Sequence, residues 1–99
     1  MKKDDPSSGR ERMQVFFSGT VQGVGFRFTA ERLARRFPVE GFVRNLDDGR
    51  VEVVAEGGRE ALTGFLTAIR ESGMKPYIRE VESFWSDPQH TFSGFKVTY

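Results

Sequence analysis

The sequence predicts an α+β fold in which one sheet carries two helices, and three observations lead to that prediction. Five segments have strand-like patterns of apolar residues, at positions 13–21, 39–46, 51–56, 77–85 and 95–99. Two other segments space their apolar residues three and four apart, which is typical of amphipathic helices. At 99 residues the chain is long enough for one hydrophobic core and too short for two.

The order of these elements is β-α-β-β-α-β with a short strand added at the end. The first helix starts at Phe26 and ends before Pro38, because the residue preceding a proline is pushed toward extended geometry. Asp47-Asp48-Gly49 between the second and third strands is a hairpin signal, and the second helix should end near Gly73. The order predicts a ferredoxin-like α/β sandwich, an antiparallel-dominated sheet with both helices on one face and strand order 4-1-3-2.

The patterns also predict how individual strands are placed. Strand 1 has an apolar residue, Phe16, on its second face, which favours an inner position in the sheet. We expect strand 2 to run antiparallel to strand 1. Glu52 and Glu56 are expected on the outer face of strand 3.

The domain organisation follows from where apolar residues begin. Residues 1–12 are polar and charged and contain Pro6 and Gly9, so we expect a disordered N-terminal extension. Residues 13–99 are expected to form the folded domain.

Composition limits the classes of function. Fifteen basic and fourteen acidic residues give a net charge of +1, which provides no overall field for nucleic acid or an anionic membrane. The chain has no cysteine, which excludes disulfides and thiolate chemistry, and no apolar run as long as a membrane span. No residues have metal-ligand spacing, and the single histidine, His90, is expected in an exposed loop. We therefore expect a cytoplasmic monomer without metal or other cofactor.

A glycine-rich loop stands between strand 1 and the first helix. Gly23 and Gly25 bracket Val24, and glycine allows both positive φ and close approach of the backbone to a ligand. The first N–H groups of the following helix lack partners, and Arg27 lies in its first turn. This arrangement predicts a phosphate site. A simple tight turn followed by a solvated arginine explains the same residues equally well.

Asn45 is the second candidate for a functional side chain. It ends strand 2, just ahead of the hairpin turn. Considered alone, it is more readily explained as a turn asparagine that bonds its own backbone.

Together the two segments resemble the paired signature of the acylphosphatases. The first is Gly-x-Val-Gln-Gly-Val-x-Phe-Arg at residues 19–27, and the second is Gly-x-Val-x-Asn-x-x-Asp-Gly-x-Val at residues 41–51. The resemblance implies a metal-free hydrolase that splits acyl phosphates into a carboxylate and inorganic phosphate. It implies that Asn45 orients the attacking water. It also implies that phosphate is bound by Arg27 together with the backbone N–H groups of Gln22, Gly23, Val24, Gly25 and Phe26.

The chain departs from the common acylphosphatase pattern in three places. Phe42 stands where a tryptophan is frequent, Pro38 stands where a glycine is usual, and residues 1–12 are additional. None of these lies in the glycine loop, so we expect them to affect packing more than activity.

Two other functions are compatible with parts of the pattern. An RNA-recognition domain shares the element order, but its aromatic motif belongs on the third strand, which here has no aromatic residue. A regulatory domain that binds phosphate or carbamoyl phosphate without hydrolysis would use the same loop.

Overall fold

The computed structural model describes residues 9–99, so residues 1–8 of the extension expected over residues 1–12 lie outside the described residues. Five strands, two α-helices and one 3₁₀ turn follow one another within these described residues. Their bounds are β1 Arg10–Gly19, α1 Phe26–Ala34, β2 Glu40–Asn45, β3 Val51–Gly58, α2 Arg59–Arg70, the 3₁₀ turn Lys75–Tyr77, β4 Ile78–Ser86 and β5 Phe95–Val97.

The strands form one sheet in the order β4-β1-β3-β2-β5, which confirms the predicted ferredoxin-like topology. Only the β2–β5 pair is parallel, and the other three pairs are antiparallel. β1 and β2 are both antiparallel to β3, so they run in the same direction, and the expectation that they oppose each other is wrong. As a result, β1 and β2 end at the same edge of the sheet.

The hydrophobic core lies between the sheet and the two helices. Leu62, Phe65 and Ile69 of α2 are completely buried, and so is Phe17 on the facing side of β1. The ring of Phe17 contacts that of Phe26 at the start of α1, with 4.9 Å between the ring centroids. Burial of a side chain of this size stabilises the fold by about 1.5–3 kcal/mol. The start of α1 is therefore anchored directly on the sheet.

α1 is shorter than the predicted helix, which extended to Phe37. After Ala34 the chain tightens, because the N–H groups of Arg35, Arg36 and Phe37 each donate to the carbonyl three residues earlier. Pro38 follows immediately and stops the helix, as expected. Neither helix in residues 9–99 has the length and hydropathy needed to cross a membrane.

β1 begins at Arg10, so the predicted disordered extension is wrong for residues 10–12. These residues pair with β3, with Arg10 opposite Gly58 and Arg12 opposite Glu56. Their charges also find partners: Arg12 Nη1 lies 2.8 Å from a carboxylate oxygen of Glu56. Polar composition alone suggested disorder because it does not reveal partners far away in the sequence.

Glu52 lies on the sheet face opposite the helices, as expected, but it is only 4% exposed. Gln14 Nε2 and Arg44 Nε each donate a hydrogen bond to its carboxylate, at 2.7 Å in both cases. Glu52 is thus buried on the outer face of β3, because side chains from both neighbouring strands cover its carboxylate.

Glu56 is buried for a different reason, and its exposed fraction is 1%. The connection between β4 and β5 crosses this face of the sheet, and the backbone N–H groups of Gln89 and His90 donate to the Glu56 carboxylate at 2.8 and 2.9 Å. Phe92 of the same connection packs on Phe42 of β2, with ring centroids 5.8 Å apart. The aromatic replacement at position 42 therefore serves packing.

Candidate active site

The loop between β1 and α1 depends on the conformations of two glycines. Gly23 has φ 80° and Gly25 has φ 85°, in the left-handed region that disfavours other residues. An added Cβ would have no atom within 4 Å at either position. The glycines are thus needed for the path of the backbone, and that path leaves open space beside the loop.

The start of α1 leaves a row of backbone donors without partners. Gly25 is the N-cap residue and provides no side-chain cap, and the first helical bond runs from the Thr29 N–H to the Gly25 carbonyl at 3.0 Å. Within residues 9–99, the backbone N–H groups of residues 22–27 donate no hydrogen bond. These donors lie at the positive end of the helix dipole, where an anion is favoured.

Gln22 connects this loop to the β2–β3 turn. Its Nε2 donates hydrogen bonds to the carbonyl oxygens of Leu46 at 2.7 Å and Arg50 at 3.0 Å. The two carbonyls lie on opposite sides of the turn, so one amide group holds both. Only the backbone of Gln22 was implicated by the sequence, and no local pattern predicts this contact across 24 positions of sequence.

The β2–β3 turn is held firmly at its own centre as well. The Leu46 N–H donates to the Arg50 carbonyl at 2.8 Å, and Asp48 accepts from the Arg50 N–H at 3.1 Å and from Arg50 Nε at 2.8 Å. The Arg50 backbone N–H is the main reason that the pKa of Asp48 lies below its usual value. Asp48 therefore performs the turn-capping role that sequence considerations allowed for Asn45.

One cavity of about 230 Å³ lies between the loop and the end of β2. Gly23, Gly25, Phe26 and Arg27 line it together with Asn45, so the structure brings these predicted residues together. The side chains of Gln22 and Val24 point elsewhere, the first to the β2–β3 turn and the second against the core. The complete lining is Val21, Gly23, Gly25, Phe26, Arg27, Phe28 and Asn45.

Arg27 is half-buried and is oriented by neutral partners. Its Nη1 donates to the Thr98 carbonyl at 3.4 Å, and its Cζ lies 4.6 Å from the centroid of the Tyr99 ring. Among residues 9–99 it forms no ion pair with a carboxylate. Its positive charge is therefore available to a ligand. The contacts with Thr98 and Tyr99 were not predicted, because they join residues about seventy positions apart.

Titratable groups suited to metal binding are not clustered in the described part of the chain. No three His, Asp or Glu side chains there lie close enough together to hold a metal ion. His90 is exposed in the connection between β4 and β5, as expected, and it does not line the cavity.

Comparisons with known proteins agree with this arrangement. A family model described as Acylphosphatase matches residues 13–97. An acylphosphatase of Salinibacter ruber is 41% identical over 87 residues, covering 88% of this chain and 92% of that protein. An acylphosphatase of Natronomonas pharaonis is 40% identical over 90 residues, covering 91% and 97%. The crystal structure of acylphosphatase from Bacillus subtilis is similar with a TM-score of 0.83 and 31% identity, over 90% of this chain and 99% of that one. The extent of these matches, together with both sequence motifs, places this chain in the acylphosphatase family.

Proposed function

We propose that this protein hydrolyses the carboxyl–phosphate bond of acyl phosphates and releases a carboxylate and inorganic phosphate. The observation that carries the proposal is the cavity in which Arg27 and Asn45 lie beside the glycine loop. Membership of the acylphosphatase family supports the same reaction.

The phosphoryl group is held by the loop and by Arg27. The backbone N–H groups of residues 22–27 have no other acceptor in the described chain, so an anion there displaces no internal hydrogen bond. The planar guanidinium of Arg27 adds paired donors that match two phosphate oxygens. The proposal includes the N–H groups of Gln22 and Val24, although their side chains are used elsewhere.

Asn45 orients the attacking water. Asn45 lines the same cavity, and its side chain makes no hydrogen bond to residues 9–99. The water oxygen bonds to phosphorus while the bond to the carboxylate oxygen breaks, and the carboxylate leaves without needing a strong general acid. A carboxamide does not accept a proton at neutral pH. We therefore assign the proton of the water to a phosphoryl oxygen.

Catalysis of this reaction requires mainly that the substrate is positioned and that negative charge is stabilised. Phosphoryl transfer passes through a loose transition state with charge spread over the phosphoryl oxygens, so catalysis depends mainly on fixed donors. The donors proposed here are backbone amides of a loop that is fixed at both ends, by the start of α1 and by Gln22.

We further propose that the protein acts as a cytoplasmic monomer without metal, other cofactor, membrane or nucleic acid. The net charge of +1 supports the absence of a general attraction to polyanions. An RNA-recognition function is disfavoured because the outer face of β3 carries the buried carboxylates of Glu52 and Glu56, where such domains carry exposed base-stacking aromatics.

The test is a continuous assay of benzoyl phosphate hydrolysis with and without EDTA. We expect catalysis well above the spontaneous rate, equal in both conditions, and lost in Arg27→Gln. Arg44→Gln is the matched control, because Arg44 lies on the open sheet face with Glu52 and outside the cavity. The control should retain wild-type turnover.

Each alternative predicts a different result, from this assay or from a binding measurement beside it. Saturable phosphate binding without hydrolysis would indicate a regulatory phosphate-binding domain instead of an enzyme. A rate abolished by EDTA would overturn the metal-independent mechanism. An affinity for RNA that falls steeply with increasing salt concentration would support a nucleic-acid-binding function.

A further inference from the structure

Phe28 is an exposed aromatic residue in the wall of the catalytic cavity. It follows Arg27 in the first turn of α1, lines the cavity, and is 62% exposed. Its neighbours Thr29 and Ala30 face inward and are buried, whereas Phe28 is not part of the hydrophobic core. The stability of the domain therefore does not account for a phenyl ring at this position.

A second exposed ring lies next to the same arginine. Tyr99 is 89% exposed, and its ring centroid is 4.6 Å from Arg27 Cζ. Four large apolar side chains are exposed in residues 9–99, namely Phe28, Tyr77, Phe84 and Tyr99. Of these, Phe28 lines the cavity and Tyr99 contacts Arg27 beside it. Single exposed aromatics are ordinary on protein surfaces, but two beside one catalytic cation mark a local apolar surface.

The cavity has chemically distinct parts. Arg27, Asn45 and the loop amides supply its polar side, and Val21 and Phe26 form its buried apolar floor. Phe28 adds the exposed apolar part. A substrate with its phosphoryl group on the loop amides therefore finds an aromatic surface within the same cavity for the group that the phosphate carries.

We propose that Phe28 forms the acyl-group subsite and selects acyl phosphates whose acyl group is apolar and planar, as in an aromatic acyl phosphate. This inference rests on the proposed function. Ring-on-ring contact with Phe28 buries apolar surface on both partners and favours stacked or edge-to-face geometry. A small acyl group such as acetyl gains much less from that contact, so Phe28 contributes to the choice of substrate rather than to phosphate binding.

The test compares benzoyl phosphate with acetyl phosphate in wild type and Phe28→Ala. We expect the ratio of kcat/KM for benzoyl over acetyl phosphate to fall about fivefold in Phe28→Ala. A change of this size corresponds to the free energy of one aromatic contact. Phe28→Leu should give an intermediate ratio. Because the side chain is exposed, both variants should fold. Phe84→Ala is the matched control, since Phe84 is 52% exposed on β4 and outside the cavity, and it should leave the ratio unchanged.

A binding measurement separates recognition from turnover. Phenylphosphonate and methylphosphonate carry a phosphorus–carbon bond that this hydrolysis does not break, so both serve as competitive inhibitors. We expect Phe28→Ala to weaken phenylphosphonate by about fivefold more than methylphosphonate. A benzoyl-to-acetyl ratio and an inhibitor ratio that are both unchanged in Phe28→Ala would overturn the subsite while leaving the enzyme intact. Failure of the wild type to hydrolyse either substrate would instead overturn the proposed function.

Discussion

Arg27 and Asn45 line the same cavity, and their side chains contribute different properties. Arg27 brings a charge and paired donors, and it is oriented by Thr98 and Tyr99. We expect Arg27→Gln to lower kcat/KM by more than the roughly 10²–10³-fold typical for one lost oxyanion donor, because charge and geometry disappear together. Arg27→Lys should recover only part of the loss, since a point charge cannot bind two oxygens side by side. Steady-state kinetics with benzoyl phosphate measure kcat/KM for both variants.

For Asn45 we expect a substitution to lower turnover while leaving phosphate binding nearly unchanged. In the proposed mechanism Asn45→Ala removes the group that orients water, so we expect kcat to fall to near background. The inhibition constant of inorganic phosphate should change by less than about twofold, because the anion donors remain. Circular dichroism checks that the fold is retained. A variant that keeps most of its kcat would show that Asn45 does not position the water.

Among the secondary-structure elements, the critical connection joins the loop before α1 to the β2–β3 turn. Gln22 makes it through two hydrogen bonds, each contributing about 1 kcal/mol on average. We expect Gln22→Leu to release the turn that follows Asn45 and to lower kcat by about tenfold. The phosphate inhibition constant should change less, because the amide of residue 22 stays in the loop.

The matched control for this variant is Gln14→Leu. Gln14 is also a glutamine bonded across the sheet, to Glu52, but it lies on the face away from the cavity. Gln14→Leu should lower the free energy of unfolding and leave kcat at the wild-type value. Equal kcat losses in the two variants would mean that Gln22 acts through general stability only.

Element order could be predicted from the sequence because it depends on local periodicity, as the two helices and five strands show. The predicted bounds of an element were less accurate where pairing with another strand determines them. At β1, for example, the first residues are in the strand because β3 pairs with them. Five cavity residues, Gly23, Gly25, Phe26, Arg27 and Asn45, were predicted from the motifs, whereas Val21 and Phe28 were not predicted. The side-chain contacts of Gln22 and Arg27 were not predicted either, since they join distant positions without a local pattern.

On the scale of the whole molecule, Glu56 joins three separate parts of the chain. Its carboxylate on β3 binds Arg12 of β1 and the N–H groups of Gln89 and His90. Burial opposes ionisation of Glu56, but the two N–H groups and Arg12 outweigh it, so its pKa lies below the usual 4.5. Because the folded state has the lower pKa, this stabilisation is complete above pH 4.5 and is lost as the pH falls through the folded value.

We therefore expect Glu56→Gln to destabilise the domain by about 2–3 kcal/mol at pH 7, the size of charged hydrogen bonds lost in a buried site. The difference from wild type should shrink as the pH falls below 4.5. Urea unfolding at several pH values measures it, with exposed Glu80→Gln as the control. A difference independent of pH would contradict a role for the charge.

The unpartnered amides at the start of α1 also determine how this region exchanges hydrogen with solvent. An N–H without an acceptor is not protected by structure, so the amides of residues 22–27 should exchange deuterium quickly although they border a rigid core. Saturating phosphate should slow exchange there and leave the edge strand β4 as it was. Ligand occupancy would thus be detected as slower deuterium exchange confined to residues 22–27.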